Sequence, residues 1–116
     1  MFKKCLKCGE LVYVLKDKCT LMCCNEEMVE VIPNSVDTAI EKHVPEYVID
    51  GDKIIVTVNH VMEEDHFIEW IAIENDKEFF IRKLSPKDEP KVIFDYIPDA
   101  TIYSYCNKHS LWAKEI

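Results

Sequence analysis

Glycine is scarce, with two residues in a chain of 116, and several features that would settle a function class early are missing altogether. There are no internal repeats and no low-complexity tracts, so a repeat architecture is excluded. No helical period is sustained anywhere, so long helices are not expected. No apolar run is long enough to span a bilayer, and Met1-Phe2-Lys3-Lys4-Cys5 is not followed by a stretch of signal-peptide character, which predicts a cytoplasmic protein. Basic residues are in deficit, 14 Lys and Arg against 22 Asp and Glu, for a net charge of −8. Nucleic acid and anionic membranes are therefore not expected as partners, because both require a basic face. A small anion is not excluded, since charges are screened over about 8 Å at physiological salt and one or two lysines at a pocket mouth outweigh a distant acidic surface.

What is present is apolar material, with 48% hydrophobic residues, five Tyr and five Phe, enough for a real core. The length fits one domain of about 80 residues plus a small lobe. Residues 1–34 read as that lobe. Two cysteine clusters flank the β-like runs Leu11 to Leu15 and Thr20 to Met22, with Lys16-Asp17-Lys18 as the expected turn. A piece this small buries too little to fold alone and needs a staple, to which a tetrathiolate metal site contributes on the order of 10 kcal/mol. Pro33-Asn34-Ser35 then reads as a linker.

From residue 35 to 116 the pattern is strand after short strand. Asp50-Gly51 marks a hairpin between Glu46 to Ile49 and Ile54 to Val58, and further strands are expected at His66 to Ile73, Phe79 to Leu84, Val92 to Tyr96, Ile102 to Tyr105 and Leu111 to Lys114. About seven short strands in about 70 residues predict an all-β fold, a seven-stranded immunoglobulin-like β-sandwich following the metal-stapled lobe. Simple alternation places His66, Ile68, Trp70 and Ala72 on one face and Phe67, Glu69, Ile71 and Ile73 on the other, with Glu69 interrupting an apolar face. Trp70 and Trp112 read as core residues.

The chemistry-bearing residues fall into two sets. Six cysteines in a reducing compartment read as metal ligands rather than disulfides. Cys5-Leu6-Lys7-Cys8-Gly9 is a metal knuckle, and Cys23-Cys24 is its partner pair, which reaches one ion only if the backbone between the two is contorted. Sulfur ligation suits iron or zinc, and Cys19 is left over as a spare thiol. The second set is His43, His60, His66, Cys106 and His109: every histidine of the chain plus the one cysteine beyond the lobe, each near a predicted turn. Turns at one end of a sandwich converge, so these side chains can meet around one ion.

Glu41-Lys42-His43-Val44-Pro45, His60 with Met62-Glu63-Glu64 and His66, Ile68-Glu69-Trp70-Ile71, and Tyr105-Cys106-Asn107 with His109 closely resemble desulfoferrodoxin, the two-iron form of superoxide reductase. Cys5, Cys8, Cys23 and Cys24 resemble that family's desulforedoxin-like lobe, and residues 35–116 its neelaredoxin-like domain. The resemblance implies a catalytic mononuclear iron with His43, His60, His66 and His109 in a plane, Cys106 as axial ligand and a sixth position open to superoxide. It implies Lys42 as the cation that draws superoxide in and helps deliver a proton, Glu41 as a carboxylate able to take the open position in the oxidised state, a rubredoxin-like electron donor, and a homodimer. Val61, Asp65 and Ser110-Leu111 depart from the pattern, standing where proline, lysine and a Gly-His pair are frequent. Asp65 puts a negative charge beside His66 and is expected to weaken anion steering. A zinc-stapled binding module and a pure electron-transfer protein are the alternatives; a closed coordination shell would mark the former.

Overall fold

The computed structural model describes residues 1–36 and 43–116. The described residues contain strands, turns and irregular segments and no helix. They form two compact units, Met1–Ile32 and Pro33–Ile116.

In the first unit, β1 (Phe2–Lys4) lies between β2 (Leu11–Tyr13) and β5 (Val29–Glu30), antiparallel to both, while β3 (Met22–Cys23) and β4 (Glu26–Glu27) make a separate hairpin. The runs on either side of Lys16-Asp17-Lys18 therefore do not pair with each other. β2 uses the chain's first residues instead, and Phe2 sets its ring 5.2 Å from that of Tyr13. β1 and β4, at three and two residues, are too short to carry a periodic signal. Phe2, Cys5 and Met28 are the buried apolar side chains among the described residues of this unit. So small a core cannot offset a backbone ordering cost of roughly 1–2 kcal/mol per residue.

The second unit stacks two antiparallel sheets. One runs in the order β10-β7-β6, from β6 (Glu46–Asp50), β7 (Lys53–Thr57) and β10 (Lys91–Asp95). The other runs β12-β11-β8-β9, from β8 (Ile68–Glu74), β9 (Phe79–Lys83), β11 (Thr101–Cys106) and β12 (Ser110–Glu115). Ile54 and Val56 of β7 and Val92 and Phe94 of β10 share one buried cluster with Ile71 and Ile73 of β8 and Ile102 of β11, so the sheets pack face to face. The immunoglobulin-like arrangement has one variation: β9 pairs with β8 rather than joining the first, second and fifth strands of the unit. A short turn enforces this, because Asn75 Oδ1 accepts the N–H groups of both Lys77 and Glu78 at 2.9 Å and folds β9 straight back. The β6–β7 turn, with Asp50 opposite Lys53, has positive φ at Gly51 (61°) and not at Asp52, the type II′ pattern.

β8 departs from the simple alternation expected of it. It starts at Ile68 rather than His66, and its register against β11 slips: Tyr105 faces Trp70, while Cys106 faces Ile68. Glu69 is the extra residue of a β-bulge. The bulge returns Ile68 to the buried cluster with Ile71 and Ile73, so Glu69 does not interrupt the core face. Trp70 stacks on Tyr105 with centroids 5.5 Å apart, and Cys106 is drawn into the core, fully buried. Ile73, also fully buried, tests the sheet packing: Ile73→Ala should cost about 2–5 kcal/mol in urea unfolding, and an unchanged midpoint would contradict a core built across β8.

Candidate metal centres

The β11–β12 hairpin organises the larger site. Cys106 ends β11 and pairs with Ser110, the first residue of β12, so Asn107-Lys108-His109 forms the turn. A three-residue turn re-enters its second strand through a left-handed residue, here Ser110 at φ 66°. Ser110, one of the departures from the family pattern, thus occupies a backbone conformation that favours glycine.

Props from the same hairpin hold the neighbouring ligand candidates. Ser104, fully buried two residues before Cys106, donates from Oγ to the His43 carbonyl at 2.7 Å. Trp112, also fully buried, stacks on the His43 ring at 4.9 Å and donates its indole N–H to the His109 carbonyl at 3.0 Å. His60 and His66 come from the irregular segment before β8, where Glu63 and His66 form an isolated bridge.

Five donor atoms converge. His43 Nε2 lies 3.0 Å from His109 Nδ1, and Cys106 Sγ lies 3.4 Å from His60 Nε2 and 3.8 Å from His109 Nδ1. His66 Nε2 is buried with no hydrogen-bond partner among the described residues. One donor atom from each of His43, His60, His66, Cys106 and His109 lies within 4.8 Å of all the others. His60 Nδ1 donates to the Val61 carbonyl, which leaves the lone pair on Nε2, facing the group. A cavity of about 250 Å³, lined by His43, His60, Val61, Glu63 and His66, opens on the histidine side, while Cys106 stays buried outside its wall.

Burial pushes His60 and His109 below the ordinary histidine value of 6.5, and neighbouring imidazoles push the same way. Burial pushes the Cys106 thiol up, against the N–H groups of Lys108 and His109, which pull it down. Neutral imidazoles and a displaceable thiol proton are what an incoming cation requires. The orphaned His66 nitrogen is the observation that fits a metal best, since a buried acceptor without a partner is costly unless something fills it.

In the first unit, Cys5, Cys8, Cys23 and Cys24 form a second group. Gly9, at φ 86°, turns the knuckle and donates to the Cys5 carbonyl at 2.9 Å. Cys24 (φ 52°) and Asn25 (φ 62°) are both left-handed and make a two-residue turn between Cys23 and Glu26, the type I′ pattern. That is the contortion adjacent cysteines require: Cys23 Sγ lies 3.6 Å from Cys8 Sγ and 3.9 Å from Cys24 Sγ. The Cys8 N–H holds the Cys5 thiol down at about 7, whereas the Cys5 and Cys8 sulfurs push Cys23 up to about 12. Cys19 is exposed and outside both groups. Glu41 and Lys42 lie outside the described residues. Lys108 Nζ stands 3.8 Å from the Asp65 carboxylate, so the negative charge expected beside His66 meets a cation from the hairpin turn.

The family model described as Desulfoferrodoxin matches residues 35–115. The chain belongs to the desulfoferrodoxin family. A family member from Clostridium acetobutylicum, named desulfoferrodoxin, is 38% identical over 93% of this chain and 90% of its own length. One from Syntrophotalea carbinolica is 41% identical over 97% and 93%. Among solved structures, the superoxide reductase from Treponema pallidum matches with a TM-score of 0.76 at 26% identity, covering 98% of both chains. The family model covers the sandwich, and the two relatives and the solved structure extend over the lobe as well.

Two measurements test the local geometry. Ser110→Gly should relieve the left-handed strain and raise stability by about 1 kcal/mol in urea unfolding; a loss would show that the Ser110 side chain matters more than its φ. The lowered histidines make a signed prediction for the metal-free chain. Stability from neutral His60 and His109 is present above about 6.5, the ordinary value, and is lost as pH falls through their lowered values. The urea midpoint should therefore drop between pH 7 and pH 5, and the drop should be shallower in His60→Gln/His109→Gln.

Proposed function

We propose that this protein is a superoxide reductase, an oxidoreductase that takes superoxide to hydrogen peroxide without releasing dioxygen. The observation that carries the reading is the open cavity walled by His43, His60 and His66 beside a buried Cys106. A structural zinc site would be closed, whereas catalysis needs an accessible position.

His43, His60, His66, His109 and Cys106 would hold the iron. Bound there, iron would supply the single electron that, with two protons, turns superoxide into hydrogen peroxide. The chain's own contribution would be imidazole nitrogens from four histidines and the sulfur of the buried Cys106, a donor set that would leave positive charge available to an anion. Ser104 and Trp112 hold His43 and His109 in place, and Val61 and Glu63 shape the entrance. Lys42, by its family position, would draw the anion in and pass a proton through water, and Glu41 would offer a carboxylate to the metal. A rubredoxin-like protein returns the electron, the chain works as a cytoplasmic homodimer, and the tetrathiolate group of residues 1–34 holds iron or zinc.

The anaerobically purified protein should consume superoxide stoichiometrically with added reductant, forming peroxide and no dioxygen. Cys106→Ser should abolish this while leaving the metal of the four-cysteine group in place, and Lys42→Ala should slow capture at low salt about tenfold without loss of iron. Stoichiometric zinc at both groups in protein from its natural host would overturn the proposal.

A further inference from the structure

Asn107 stands between two of the candidate ligands in sequence, yet its side chain serves a third. Its Oδ1 accepts the Phe67 N–H at 2.9 Å and its Nδ2 donates to the Asp65 carbonyl at 2.9 Å, the backbone groups directly after and before His66. Its own N–H donates to the Phe67 carbonyl at 3.2 Å. The regular ladder between β11 and β8 has already ended at Cys106 and Ile68. Beyond that point the carboxamide replaces the missing strand pairing and clamps the His66 segment to the Cys106–His109 turn.

We infer that Asn107 is a positioning residue that sets the placement of His66 relative to Cys106 and His109, and so governs how tightly and with what ligand geometry the five-donor group binds metal. His66 needs such a device. Its isolated bridge to Glu63 ties it to its own loop and not to the hairpin, and its Nε2 has no partner among the described residues that would orient the ring. Asn107 is exposed, so its replacement does not open the core. Lys108, next in the turn, meets the same loop through a 3.8 Å ion pair with the exposed Asp65 carboxylate, a contact too weakly held to define a ring position. The inference rests on the five-donor group being a metal centre, but not on which reaction it supports.

The test uses the full chain, stripped of metal and titrated with cobalt(II), whose visible bands report ligand number and thiolate ligation at each group. Asn107→Ala should weaken cobalt binding at the histidine group about 10- to 100-fold and shift its bands, with the four-cysteine group unchanged as internal control. Asn107→Asp, which keeps the acceptor for the Phe67 N–H and loses the donor to Asp65, should fall between. Lys108→Ala should leave affinity and bands as in the parent. Equal affinity and identical bands in Asn107→Ala would overturn the inference, as would equal weakening at both groups, which marks a general folding defect. A parent protein that takes cobalt at the cysteines alone would instead overturn the metal centre itself.

Discussion

Four imidazoles and a thiol whose donor atoms all lie within 4.8 Å of one another cannot satisfy each other. Each pair of nitrogens shares at most one proton, and a ring nitrogen is still left over, as it is on His66. Packing such a group beside a hydrophobic core carries a cost that a cation removes. Much else in the second unit follows from holding that arrangement. The bulge at Glu69 brings Cys106 inward, the buried Ser104 and Trp112 prop His43 and His109 from behind, and Asn107 ties in His66 from the outside.

The two units meet the problem of stability differently. The sandwich has a continuous apolar cluster from both sheets, so its metal group is a demand placed on a fold already able to exist. The first unit has few buried apolar side chains and stores left-handed strain at Cys24 and Asn25. Its four sulfurs stand in for a core. A metal would therefore be an addition to the larger unit and a condition of the smaller one.

The all-β class, the cysteine knuckle and the histidine set were legible because each rests on local signals: β-branched runs between turn residues, Cys-x-x-Cys spacing, and histidines beside turns. What escaped was decided by tertiary register. Nothing in Ile68-Glu69-Trp70-Ile71 announces a bulge, because the slip depends on which residue of β11 stands opposite. The pairing of β1 with β2 was hidden because a three-residue strand has no period. Asn107 carried no role beyond its place in the motif, since its partners are backbone groups about forty positions away. Trp112 read as a core residue and is one, but its indole N–H and its stacking on His43 could not be foreseen from spacing.

The β11–β12 hairpin also bears on how such a site tolerates change in chain length. Between Ser104 and Trp112, nine consecutive residues supply two of the five donors and the groups that hold His43 and His66. One residue added within Asn107-Lys108-His109 would break the Cys106–Ser110 pairing and turn His109 away from its neighbours. The loop carrying His60 and His66 has no such ladder across it and has room to vary in length. Natural variation in length should therefore gather in that loop and stop abruptly at the hairpin.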